Sequence, residues 1–101
     1  RSDYLSSILG EFQDCLDRIE EDPIYCTLNM IRVFWYLEKG VISSKEEAGR
    51  WGLSTLPKEF SSTVHKVIDC YTSEKTDHEF EKDELLLFRY YVATNVQKQL
   101  S

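Results

Sequence analysis

The run from Asp22-Pro23 to Gly40 constrains the fold more than any other stretch of this chain. Aspartate followed by proline is a helix start. The carboxylate can accept from the free N–H groups of the first turn, and proline's missing N–H costs nothing at the first helical position. Gly40 is a helix stop, because glycine readily takes the left-handed conformation of a C-terminal cap. Placing Ile24 to Lys39 at helical spacing puts Ile24, Leu28, Ile31 and Trp35 on one side. Cys26, Met30, Val33, Phe34 and Leu37 cover much of the remaining circumference, and one polar arc is left, holding Tyr25, Asn29, Arg32, Tyr36 and Lys39. A helix apolar around most of its girth belongs at the centre of a bundle. Its polar arc is therefore expected to face either solvent or a cleft.

Four further helical segments surround this one in the sequence. The first is expected from about Asp3, a possible cap, to Ile19, with Leu5, Ile8, Leu9, Phe12, Leu16 and Ile19 at helical spacing. The third opens after Ile42 at Ser43-Ser44-Lys45-Glu46-Glu47, where each serine has a glutamate three residues on and either register makes a capping box. It should carry Ala48 and Trp51 inward and end near Leu53. The fourth begins around Pro57, with Phe60, Val64, Val67, Ile68 and Tyr71 as its buried stripe. The fifth follows the polar stretch Thr72 to Asp77, with Thr76 and Glu79 as another capping box and Leu85, Phe88, Val92 and Val96 as a seam running on to Leu100. No sustained period-two alternation suggests strands. The expected architecture is all-α, an up-and-down bundle of about five helices joined by short loops.

The chain of 101 residues is long enough for one domain with one core, and its 42% apolar and 30% charged residues are ordinary for a globular protein. No apolar run approaches the roughly 18 residues of a membrane-spanning helix. The start, Arg1-Ser2-Asp3-Tyr4, has no signal pattern and no initiator Met, and reads as a cut site with residues missing upstream. A net charge of −6 argues against a nucleic-acid partner and favours a cationic ligand. Cys15, Cys26 and Cys70 form no C-x-x-C, so buried thiols in a reducing cytoplasm are expected rather than a metal or redox site.

Self-sufficient catalytic constellations are absent from the pattern. Gly10, Gly40, Gly49 and Gly52 match neither phosphate-binding glycine motif, and His78-Glu79 lacks the second histidine of a metalloprotease helix. Neither His65 nor His78 has the glutamate of a di-iron bundle, and Ser61 and Ser62 have no identifiable base. The acidic run Glu74 to Glu84 reads as a solvated loop and helix start. One feature stands out. Arg32 lies on the polar arc of a mostly buried helix, and Lys45 lies in the first turn of the next, where a cation opposes the helix dipole. A phosphate bound at that helix start would reconcile the two, and the alternative is an Arg32 paired with a carboxylate beside a solvated Lys45.

The stretch Pro23-Ile24-Tyr25-Cys26-Thr27-Leu28-Asn29-Met30-Ile31-Arg32-Val33-Phe34-Trp35-Tyr36-Leu37, followed by Gly40, Lys45, Ala48, Trp51 and Leu56-Pro57, resembles the C-terminal helical domain of the aminoglycoside adenylyltransferases that modify streptomycin and spectinomycin. The resemblance spans roughly residues 22–100, with Tyr71 and the Phe88 to Val92 segment aligning more loosely. It implies that residues 1–101 are one helical domain, the C-terminal part of a two-domain cytoplasmic enzyme that transfers AMP from ATP to a drug hydroxyl. ATP and magnesium would be handled by an N-terminal nucleotidyltransferase domain, whose Gly-Ser turn and paired aspartates are absent here, so this chain alone would be inactive. By matched position Arg32 and Lys45 would bind the ATP phosphates, Tyr71 would lie near the nucleotide and Asp22 would contact the drug. Tyr25, Asn29 and Tyr36 share Arg32's arc and would line the cleft. Streptomycin-modifying members place a tryptophan just before the Asp22 position. Here Trp35 and Trp51 belong to other helices, which leaves spectinomycin or a substrate that is no antibiotic as alternatives. The competing reading is a helical interaction or regulatory module without catalysis.

Overall fold

Helix starts, stops and apolar faces in this sequence translate into five α-helices in a computed structural model that describes residues 2–73 and 80–100, with side chains from residue 4 onward. The helices are α1 (Ser2–Arg18), α2 (Pro23–Lys39), α3 (Lys45–Thr55), α4 (Ser61–Ser73) and α5 (Lys82–Leu100), with a 3-10 turn at Lys58–Phe60 leading into α4. There is no strand among the described residues. The Asp3 side chain, the expected Thr76–Glu79 capping box and His78 lie outside what is described.

The central helix is bounded as its caps dictate. Asp22 accepts a hydrogen bond from the Tyr25 N–H at 3.4 Å, and proline occupies the first turn. Gly40 closes the helix at φ 71°, its N–H bonded to the Tyr36 carbonyl at 2.7 Å. Residues Cys26, Thr27, Leu28, Asn29, Met30 and Ile31 are all buried in succession. Because they span more than one turn, this part of α2 is covered on every side. α1, α3, α4 and α5 all pack against it. The radius of gyration, 12.6 Å, is that of one compact body of this length.

The core follows from the apolar stripes. α1 contributes Ile8, Phe12 and Cys15, Ile19 follows just past its end, and Leu5, Leu9 and Leu16 pack at the margin. α5 contributes Leu85, Phe88, Val92 and Val96, and Phe88 meets the ring of Phe60 edge to face at 5.8 Å. α2 and α3 are joined by a stacked pair, Trp35 on Trp51, with centroids 5.0 Å apart and planes 8° apart. α5 packs chiefly on α2 rather than on its sequence neighbour α4, so the bundle is arranged around a hub.

The fourth stripe ends differently from the periodicity. Phe60, Val64, Val67 and Ile68 are buried as expected, but Tyr71 is 43% exposed and Cys70 is buried. Helical spacing places a residue on a face without saying how far along that face a neighbour reaches, and Tyr71 sits in the last turn of α4. α3 also runs two residues beyond Leu53, to Thr55. Its capping box uses the Ser44 register. The Ser44 hydroxyl accepts from the Glu47 N–H at 3.1 Å, and Glu47 accepts from the Ser44 N–H at 2.9 Å.

Candidate functional site

The polar arc of α2 meets the start of α3, and Arg32 joins them. Its Nε donates to the Ser43 carbonyl at 3.0 Å, and its Nη1 donates to Asn29 Oδ1 at 3.3 Å. Both acceptors are neutral. Two of the five guanidinium N–H donors are used in this way, which leaves three for other partners. Half-buried as it is, Arg32 has no carboxylate partner among the described residues.

Lys45 opens α3 half-buried, with its ammonium 5.0 Å from the centroid of the Tyr25 ring. The two carboxylates in the same turn are otherwise engaged, Glu47 in the capping box and Glu46 with Arg50 at 3.0 Å. Lys45 therefore also lacks a carboxylate partner among the described residues. Two unneutralised cations stand at the α2–α3 junction of a chain whose net charge is −6. The free N–H groups of a helix start add to the positive potential there.

Tyr25, Arg32 and Tyr36 lie along one arc, about 16 Å from first to last at 1.5 Å per residue. The Tyr25 hydroxyl is pushed above its ordinary value, mainly by burial and next by the Glu11 carboxylate, with Arg32 opposing. Tyr36 makes an edge-to-face contact with Tyr4 of α1 at 5.0 Å. Asp22 sits half-buried at the N-terminus of α2, one turn before Tyr25. Asn29 departs from the helical-wheel expectation. It is 1% exposed, covered by α1, and its Nδ2 donates to the Cys15 sulfur at 3.6 Å. Tyr71 stands apart on α4 and shares no hydrogen bond or ring contact with this group among the described residues.

Sequence reasoning missed two contributors. The Ser43 carbonyl carried no signal, since a backbone acceptor leaves no trace in residue type. Tyr4 did carry one, because it stands four residues before Ile8 on the buried stripe of α1. The Ser43 hydroxyl is buried without a partner.

Other chemistry-bearing side chains do not assemble into a site. A shallow hollow of ≈ 560 Å³ on α4 is lined by Ser61, Ser62, His65, Lys66 and Asp69. His65 is exposed there, and no hydrogen bond joins it to either serine. No group of three His, Cys, Asp or Glu side chains among the described residues could hold a metal ion. Cys15, Cys26 and Cys70 are all buried, and none is in a disulfide. No described helix is long and apolar enough to cross a membrane.

Comparison with known proteins gives one positive finding. A family model described as aminoglycoside adenylyltransferase, C-terminal domain, matches residues 1–95, which takes in α1 as well as the stretch that carries the resemblance. No curated protein and no solved structure matches the chain.

Proposed function

The chain belongs to the family of aminoglycoside adenylyltransferase C-terminal domains, and from that membership we propose that it forms the nucleotide- and substrate-binding wall of a nucleotidyltransferase cleft. The reaction served is transfer of AMP from ATP to a hydroxyl of a cationic small molecule, with pyrophosphate leaving. The observation that carries this reading is the pair of cations at the α2–α3 junction, Arg32 held by two neutral acceptors and Lys45 with no carboxylate.

Charge neutralisation and positioning are what phosphoryl-type transfer needs from such a wall. Arg32 supplies a planar fork of donors fixed at one end, and Lys45 a point charge on a flexible stem. Magnesium supplies charge neutralisation at the phosphates when bound. On this reading, which rests on the family membership, its ligands and the catalytic carboxylates belong to a nucleotidyltransferase domain of a cytoplasmic parent chain. Asp22, part of an acidic chain that attracts polycations, is the cationic-substrate contact; Tyr25 lines the wall between it and Arg32, and Tyr36 extends the wall one turn beyond. Tyr71, exposed on α4, is assigned to the nucleotide by its matched position alone. The wall alone turns nothing over.

The test is a split in kinetics of the parent chain. Arg32→Ala should raise the KM for ATP while sparing that for the cationic substrate. Asp22→Asn should do the reverse, because asparagine caps a helix as well as aspartate does and removes only the charge. A shared loss, or none, would overturn the assignment. The competing interaction-module reading draws on α5, where Leu87, Tyr90 and Leu100 are 57%, 73% and 48% exposed. It predicts normal kinetics in both variants.

A further inference from the structure

Asn29 is an unusual residue for its position. It lies mid-helix at 1% exposure, where an apolar side chain would favour both helix and core. Its amide has only one workable orientation. Arg32 offers donors alone, so Oδ1 must face the guanidinium, at 3.3 Å, and Nδ2 must then find an acceptor on the other side. That acceptor is the Cys15 sulfur at 3.6 Å, on a residue that is itself fully buried. A continuous chain of hydrogen bonds thus runs from the Cys15 sulfur through Asn29 and Arg32 to the Ser43 carbonyl just before α3.

We propose that Asn29, braced by the Cys15 sulfur on α1, is a positioning residue that sets the guanidinium of Arg32 for anion binding. The inference rests on the reading of Arg32 as a phosphate contact, and it gives Asn29 a role other than touching substrate. Arginine loses little freedom on binding when its fork is already oriented. Here Asn29 and the Ser43 carbonyl hold it from two sides while its remaining donors stay free. Both restraints are neutral, so the charge is fixed in place without being cancelled. A carboxylate at residue 29 would orient Arg32 equally well and quench it.

The test is nitrogen-15 NMR of the full chain, following guanidinium rotation and Nε–H exchange at Arg32 during titration with inorganic pyrophosphate. It compares the wild type, Asn29→Ala, Asn29→Leu, Arg32→Ala and the Arg32→Ala/Asn29→Ala double variant. Asn29→Leu keeps the buried volume should the alanine variant fail to fold. Both Asn29 variants are expected to free the guanidinium and to weaken pyrophosphate binding on the order of tenfold, the weight of one hydrogen bond to a charged group. In the Arg32→Ala background the Asn29 change should cost no further affinity, an outcome that a purely structural role would not produce. An equally ordered guanidinium in both Asn29 variants would overturn the inference. Freed guanidinium motion, with pyrophosphate perturbing neither Arg32 nor Lys45 in the wild type, would support the positioning and overturn the anion reading beneath it.

Discussion

Three buried polar side chains, Thr27 and Asn29 on α2 and Ser43 just before α3, behave differently because only one has partners. Asn29 is bonded on both sides, whereas the hydroxyls of Thr27 and Ser43 have none. A buried hydroxyl without a partner carries its desolvation cost uncompensated, so Thr27→Val should stabilise the fold by about 1 kcal/mol. A thermal melt should show that as a rise of about 4 °C or more. A lower midpoint would mean that Thr27 has a partner in solution. At this scale the sequence was informative about residue type and spacing. The arc Tyr25, Asn29, Arg32, Tyr36 could be drawn on a wheel, but nothing in its pattern said that α1 covers Asn29, since burial of a single arc position depends on where a distant helix lies. The unneutralised state of Lys45 was equally hidden, because it depends on which partners Glu46 and Glu47 choose.

α3 shows what an element owes to its first turn. The Ser44 hydroxyl and backbone satisfy the helix start, and Ser44→Ala should cost about 1 kcal/mol in a denaturant melt. The Ser44 backbone N–H, and secondly its hydroxyl, hold the Glu47 carboxyl below its ordinary 4.5. A lowered folded value means that this contribution is full above 4.5 and is lost as pH falls through the folded value. The stability difference between wild type and Glu47→Ala should therefore be flat above that pH and shrink below it; a difference that persists in acid would contradict the box. Gly49 sets the other limit on α3. A Cβ there would lie 2.8 Å from Ile68 Cγ1 and 2.9 Å from Leu28 Cδ2. Alanine gains ~1 kcal/mol of helix propensity over glycine, but overpacking a filled core costs ~1–3 kcal/mol. Gly49→Ala should lower the melting midpoint, and a rise would mean that the core yields. Element boundaries were legible wherever capping chemistry marks them, at Asp22-Pro23 and Gly40, and to within one residue at Ser43-Ser44. Tyr71 was misplaced because a stripe has no marker for the end of its cover.

Across the whole molecule, α2 is the hub, and that much could be read from an apolar girth that leaves only one polar arc. The seating of α5 on α2 could not, because an amphipathic seam states that a face is buried and is silent about its partner. Burial of the hub also governs the thiols. Cys15 and Cys26 are fully buried, and burial pushes the Cys26 thiol up to about 12 and raises Cys15 as well. Alkylation at pH 8 should therefore wait for unfolding, and rapid labelling of the folded chain would contradict the packing of α1 on α2. The raised Cys26 value also means stability that is present below 9.0 and lost as pH climbs toward about 12. The central claim is that the hub's polar arc and the start of α3 form an anion-binding wall. Its most direct test is kcat/KM for ATP in the parent chain carrying Arg32→Ala or Lys45→Ala. Each loss of a charged hydrogen bond, ~1.5–3 kcal/mol, should lower kcat/KM by about 10- to 100-fold while the chain stays folded, with a melting midpoint near wild type in Lys45→Ala. Unchanged ATP kinetics in both variants would contradict it.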